Sequence, residues 1–300
     1  MRRCLLMIAA LCFVLFAAGC HSHEYVAEIM TPATCLEDGV IRYTCVKCGE
    51  THTEVLSAGG HVFSDWERIA APTWSSSGEQ KRVCTLCGET ESEVLPRLSS
   101  GAESLKPLAV KPALPITVCV DPGHGGMDGG AVAGDQKESD LNLAIGLYLR
   151  DYLEQAGLTV VMTREDDTFV GGAWQAGLRE RARISNDSDA VLFVSVHANS
   201  YSNESVRGIT TLRNKNRYPE SDLLASLVQE ETVTATGGVD RGVTDDGGLV
   251  VLNHTNVPAC LIEVGFITNP EEYELLTQEQ YRRVVAYGIA NGVIRFLNER

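Results

Sequence analysis

Four residues in the C-terminal part of the sequence stand where side chains do chemistry. His124 follows the apolar run "ITVCV" (116–120) closely, inside "DPGHGGMDGG" (121–130). His197 directly follows "AVLFVSV" (190–196), and Glu263 sits near the end of "ACLIEV" (259–264). Glu138 opens a helical pattern, and the loop before it can fold it back toward His124. Two imidazoles, one carboxylate and a water complete a catalytic zinc site with an open position, leaving a second carboxylate to carry protons. Each residue also has a plainer reading. A histidine after a strand is commonly a satisfied loop residue, and a glutamate at a helix start favours the helix dipole. Glu263 resists that reading, because an unpaired carboxylate in an apolar strand is costly. No serine or cysteine nucleophile stands in these segments.

A second set of chemistry-bearing residues lies upstream. "TPATCLEDGVIRYTCVKCGETHTEVL" realigns with "APTWSSSGEQKRVCTLCGETESEVL" at an offset of 39 residues, so Cys45 and Cys48 match Cys84 and Cys87. Cys35 of the first unit is matched by Trp74 in the second. One histidine precedes each unit, His23 and His61. Two cysteines two residues apart and followed by glycine form a knuckle that aims both sulfurs at one ion. His23, Cys35, Cys45 and Cys48 then offer four ligands for structural zinc, whereas His61, Cys84 and Cys87 offer three. Disulfides in an oxidising exterior are the alternative, although five cysteines cannot all pair. Units this small need some staple. They resemble short Cys-rich, zinc-ribbon-like repeats in surface proteins of Gram-positive bacteria, which implies a stalk or binding module.

The elements that must position these residues follow from the texture of the chain. From Ile116 onward, apolar β-branched runs alternate with helical spacing. Runs 116–120, 158–163, 190–196, 208–212, 249–252 and 259–264 read as six strands, and 139–156, 176–187, 220–235 and 278–298 as helices. Near-continuous apolar strands suit a sheet covered on both faces. The expected fold is therefore α/β, a six-stranded mostly parallel sheet with helices on both faces, preceded by the two Cys-rich repeats. Ligands of such sheets gather at the carboxyl ends of the strands, where His124, His197 and Glu263 fall. Cys119 and Cys260 read as buried small hydrophobes, with a disulfide between them as the other possibility.

The N-terminus, "MRRCLLMIAALCFVLFAAGC", has two arginines, a short apolar run and small residues before Cys20. That is an export signal rather than a membrane span. "AAGC" resembles a bacterial lipobox, although Ala17 stands where leucine is usual, so Cys20 is the expected lipidation site, with plain secretion as the alternative. The formal net charge of −15 argues against nucleic acid as a partner. The organisation expected is a signal over 1–19, repeats over 20–60 and 61–98, a proline-bearing linker over 99–115 and a catalytic domain over 116–300.

From Thr117 to the C-terminus the sequence resembles the zinc-dependent N-acetylmuramoyl-L-alanine amidases of the Amidase_3 class. The resemblance rests on "VDPGHGGMDGGA" (120–131), "KESDLNLAIG" (137–146), "VLFVSVHANS" (191–200), "RGV" (241–243), "VPACLIEVGFITNPEE" (257–272) and "ANGVIRFL" (290–297). It implies that His124, Glu138 and His197 bind one catalytic zinc and that Glu263 is the catalytic glutamate. The implied reaction is hydrolysis of the amide joining the lactyl group of N-acetylmuramic acid to L-alanine in peptidoglycan, on the outer face of the cell membrane or in the wall. Two departures stand out. Asn253 replaces a basic residue common in the family, and the stretch between His197 and Arg241 is too short for the helical insert that blocks the site in activator-dependent relatives. An open cleft is therefore expected, with His254 read as a loop residue. The competing readings are a surface binding protein that keeps the fold without turnover, and a zinc hydrolase of some other amide.

Overall fold

Alternation along the central strands sorts the body of the molecule into two cores. In the computed structural model, which describes residues 22–70, 72–100, 105–113, 115–171 and 174–300, the chain divides into two compact units. One comprises the described residues up to Glu67 together with Lys81–Ser92, the other Arg68–Gln80 and Glu93–Arg300. The export signal and Cys20 lie outside the described residues. No helix among the described residues is long and apolar enough to cross a membrane.

The first repeat forms β1 (Tyr25–Thr31), β2 (Gly39–Cys45) and β3 (Thr51–Leu56), an antiparallel sheet in the order β1-β2-β3. The second repeats the plan with β4 (Glu67–Ala70), β5 (Gly78–Val83) and β6 (Thr90–Leu95). Every residue of β1 and β3 is exposed, so hydrophobic burial does not hold the first repeat together. Trp74, at the position equivalent to Cys35, belongs to the larger unit. Its ring meets Tyr281 edge-on at 5.4 Å, and its backbone N–H donates to the Ala235 carbonyl at 2.8 Å.

The larger unit continues with β7 (Thr117–Pro122), a small ribbon of β8 (Val132–Ala133) and β9 (Gln136–Lys137), α1 (Glu138–Gln155), β10 (Thr159–Met162), α2 (Trp174–Asn186) and β11 (Ala190–Asn199). Then come β12 (Ile209–Arg213), α3 (Glu220–Thr236), β13 (Asp240–Asp245), α4 (Val250–His254), β14 (Ala259–Phe266), α5 (Pro270–Thr277) and α6 (Glu279–Glu299). The six-stranded sheet runs β10-β7-β11-β14-β12-β13. The first four strands are mutually parallel; β12 is antiparallel to β14, and β13 is parallel to β12.

Period-two alternation sends Val118, Val120, Val194 and Ile262 into one core, where α1, α3 and α6 pack. Cys119, Phe193 and Leu261 point the other way, against Val251 and Leu252 of α4 and Leu178 of α2. Helices thus cover both faces. Cys119 and Cys260 fall in opposite cores and both are free thiols, which removes the disulfide possibility.

The linker is extended but docked. Among its described residues, the Leu108 N–H donates to Asn291 Oδ1 at 2.9 Å and the Lys111 N–H to Asn298 Oδ1 at 2.7 Å, both on α6.

Two element assignments differ from expectation. Residues 249–252 are not a strand but the N-cap and first residues of α4, whose buried Val251 and Leu252 face α2 and β14. An apolar run of four carries no period, so strand and helical turn look alike in it. The sixth strand is β13, whose polar sequence "DRGVTD" lies at the sheet edge, pairs only with β12, and shows no apolar pattern. The last helical stretch is preceded by a separate helix, α5, capped by Asn269, whose Oδ1 accepts from the Glu271 and Glu272 N–H groups.

Candidate active site

The carboxyl ends of β7, β11 and β14 bring the four predicted residues together. His197 and Glu263 are register partners on adjacent strands β11 and β14. His124 lies two residues beyond β7, and Glu138, the first residue of α1, is returned to it by the β8–β9 ribbon, with the Glu138 N–H donating to the Ala131 carbonyl at 2.8 Å.

Glu138 is the hub. Its Oε1 lies 2.9 Å from His197 Nδ1 and 3.1 Å from His124 Nε2. Its Oε2 accepts from the Ala131 N–H at 2.9 Å. The ligand atoms of His124, Glu138 and His197 all lie within 4.8 Å of one another. Bonds of about 2.0–2.1 Å to a tetrahedral ion would separate such ligands by roughly 3.3 Å, so this donor set fits one metal ion. His124 Nδ1 sits 2.7 Å from Asp128 Oδ2, the type of outer contact that fixes the tautomer of a ligating imidazole. Burial alone would raise the Glu138 carboxyl, but the two imidazoles outweigh it and hold it well below the usual carboxylate range.

Glu263 has the opposite balance. Burial pushes its carboxyl up to about 7; His197 and His124 oppose the rise and Glu138 adds to it. Its Oε2 is shielded from solvent and has no hydrogen-bond partner among the described residues. A carboxylate near 7 beside a metal-ligand cluster is suited to general base and acid work.

Backbone geometry explains the glycines around His124. A Cβ on Gly123 would lie 2.2 Å from His197 Nε2, and one on Gly130 would lie 2.5 Å from Glu138 Oε2. The His197 ring and the Glu138 carboxylate occupy the space that those Cβ atoms would need. His124 itself has φ of 60°, alone among the described non-glycine residues in being left-handed.

Two buried arginines hold this loop. Arg164 donates to the carbonyls of Pro122, Gly123 and Ser139 at 2.9, 2.8 and 2.8 Å. Arg181 donates to Asp121 Oδ1 at 2.6 Å, to the Pro122 carbonyl at 2.7 Å and to the His124 carbonyl. Asp121, fully buried, also accepts from Thr163 and Ser195. Burial alone would raise its carboxyl; Arg181 and the two hydroxyls hold it below its ordinary value. Sequence reasoning missed Asp121, Asp128, Arg164 and Arg181. Asp121 and Asp128 stand inside the quoted motif, and Arg164 lies two residues past β10, but a buried arginine reads like any surface one.

Beyond His197 and Glu263 on the same strands, Asn199 and Phe266 line a shallow groove of about 440 Å³ with Tyr201, Val206 and Arg241. The site edge is open, with His124 and His197 side chains 18% and 19% exposed. The stretch between His197 and Arg241 holds β12 and α3, the latter packed on α6 and the sheet. Asn253 and His254 end up on α4. Asn253 bonds Asn214 and the Gly247 carbonyl, and the His254 carbonyl accepts from Asn186.

The upstream ligands regroup. Cys35 does not join His23, Cys45 and Cys48; it joins His61, Cys84 and Cys87, and each of the two groups has its ligand atoms within 4.8 Å of one another. The cause is the segment between the repeats, which folds back: the Gly60 N–H donates to the Cys35 carbonyl at 3.0 Å and the Gly59 N–H to the Thr34 carbonyl at 3.2 Å.

Two histidines at the carboxyl ends of strands and one carboxylate at a helix start, with a second carboxylate beside them, is a metallohydrolase layout. The chain belongs to the N-acetylmuramoyl-L-alanine amidase family (Amidase_3), whose profile matches residues 118–295. It is similar to the germination-specific N-acetylmuramoyl-L-alanine amidase of Bacillus subtilis (strain 168), at 34% identity over 209 residues, 67% of this chain and 87% of that protein. Among solved structures it is similar to the catalytic domain of CwlV, an N-acetylmuramoyl-L-alanine amidase from Bacillus (Paenibacillus) polymyxa var. colistinus. That match has 34% identity and a TM-score of 0.56, and covers 62% of this chain and 99% of that one. The CwlD amidase of Clostridioides difficile, solved in complex with the GerS lipoprotein, also matches at 34% identity with a TM-score of 0.58, over 62% of this chain and all of that one.

Proposed function

We propose that this chain is a zinc-dependent N-acetylmuramoyl-L-alanine amidase that cleaves peptidoglycan between the lactyl group of N-acetylmuramic acid and L-alanine. The observation that carries the reading is the convergence of His124, Glu138 and His197 on one point with Glu263 beside them, its Oε2 buried and without a hydrogen-bond partner among the described residues. His124 Nε2, Glu138 Oε1 and His197 Nδ1 would hold the ion. When bound, zinc polarises the scissile carbonyl and acidifies water next to it. Glu263 takes the proton from the attacking water and returns it to the departing amine, a double task suited to a carboxyl pushed up to about 7. Asp128 keeps the His124 ring oriented through Nδ1. The groove lined by Asn199, Tyr201, Arg241 and Phe266 receives the polymer beside the scissile bond, Arg241 supplying its positive charge.

The place of action proposed is the outer face of the cell membrane or the wall, with a lipid on Cys20 as the anchor. The "AAGC" pattern supports this.

The test is digestion of purified peptidoglycan with and without a chelator, and with Glu263→Gln. New L-alanine amino termini without new reducing sugar ends are expected, and both controls abolish them. New reducing ends, or activity that survives Glu263→Gln unchanged, would overturn the reading.

A further inference from the structure

The catalytic reading leaves Cys35, Cys45, Cys48, Cys84 and Cys87 of the Cys-rich repeats, with His23 and His61, without a task. We propose that Cys35, His61, Cys84 and Cys87 form a closed structural zinc site that clips the first repeat to the second, the first repeat lending its leading cysteine forward. All four residues belong to the smaller compact unit.

The distances are those of a tetrahedron. Cys35 Sγ and Cys84 Sγ are 3.8 Å apart, and Cys87 Sγ lies 3.4 Å from His61 Nδ1. Zinc bonds of about 2.3 Å to sulfur and about 2.0–2.1 Å to nitrogen give edges of roughly 3.8 Å between sulfurs and roughly 3.5 Å between sulfur and nitrogen. A disulfide needs sulfurs at about 2.05 Å and would leave the third thiol and the imidazole unserved. Cys35 and Cys84 are buried. The knuckle glycine after Cys87, Gly88, has φ of 81°, as Gly49 after the first knuckle has φ of 77°. The site is also built by the backbone, because the Gly59 and Gly60 N–H groups tie the segment before His61 to Thr34 and Cys35.

This arrangement explains the asymmetry of the repeat. If each unit lends its leading cysteine to the next knuckle, the last unit has no knuckle to serve, and Trp74 is free to pack on Tyr281 instead. The first knuckle groups three residues among the described ones, His23, Cys45 and Cys48. An unclipped repeat with exposed outer strands has little else to hold it.

The test counts zinc per chain in the reduced full-length protein. In a Cys45→Ser/Cys48→Ser background, Cys35→Ser is expected to remove one further equivalent. In a Cys84→Ser/Cys87→Ser background it removes none. Cys35→His, which keeps a ligand, retains the metal. The reverse dependence on background, or Cys35 carried in a disulfide with no zinc lost, overturns the proposal. Alkylation of the unaltered chain needs no variant. Cys35 should become reactive together with Cys84 and Cys87 as a chelator is raised; release in step with Cys45 and Cys48 overturns the proposal equally.

Discussion

His197 and Glu263 are neighbours in register on two parallel strands, so the sheet itself, rather than a loop, sets the spacing between the imidazole and the carboxyl. Their roles separate cleanly on that scaffold. Glu263→Gln keeps shape and removes the base, so turnover on peptidoglycan should fall about 10²–10⁴-fold with bound zinc unchanged. His197→Ala should instead lower zinc content together with activity. Metal analysis beside an amino-terminus assay checks both.

Asp128 Oδ2 lies 2.7 Å from His124 Nδ1. Asp128→Ala should weaken zinc binding about 10–100-fold, read by competition with a chromogenic chelator. Activity should recover when zinc is supplied in excess.

Gly123 has no room for a methyl group, since a Cβ there meets the His197 ring at 2.2 Å. Gly123→Ala should therefore displace a ligand and lose zinc. Gly129→Ala, whose Cβ would meet only Lys137 at 3.5 Å, should keep it. The pair distinguishes a steric demand from a general need for a flexible loop.

The buried Asp121–Arg181 pair makes stability depend on pH with a definite sign. The folded carboxyl is held below its ordinary value of about 3.9. Its contribution is therefore full above about pH 4–5 and is lost as pH falls through the lower folded value. Arg181→Met leaves a buried carboxylate unpaired and should cost about 3–5 kcal/mol at neutral pH. That penalty should shrink in acid, where the carboxyl takes up a proton. Denaturant unfolding at pH 7 and pH 4 would show the difference.

Arg241 lines the groove next to Phe266, its guanidinium 5.3 Å from the ring centroid. Arg241→Ala should raise KM about 5-fold, the equivalent of roughly 1 kcal/mol, and leave kcat nearly unchanged.

Much of the site was legible because its residues end strands that are apolar throughout. "AVLFVSV" and "ACLIEV" can only be buried, so the polar residue at the end of each stands out. Glu138 was legible only as the start of a helix; the ribbon that returns it to His124 is four residues of pairing with no sequence signature. The β13 strand escaped because an edge strand needs no apolar face. "LVVL" misled because four apolar residues fit a helical turn as well as a strand. Cys35 was assigned to the wrong knuckle because nearness in sequence stood in for nearness in space, and the backbone bonds that reverse the chain at Gly59 and Gly60 leave no trace in residue type. The Arg164 and Arg181 clamps were invisible for a related reason: their partners are main-chain carbonyls, which every sequence has.

The left-handed backbone of His124 has a consequence for how this protein can change. A side chain in that conformation costs about 1–2 kcal/mol that a glycine would not. A glycine at 124 would relieve that cost and would also remove the imidazole that meets Glu138 Oε1 and Asp128 Oδ2. Backbone ease and site chemistry thus compete at a single residue.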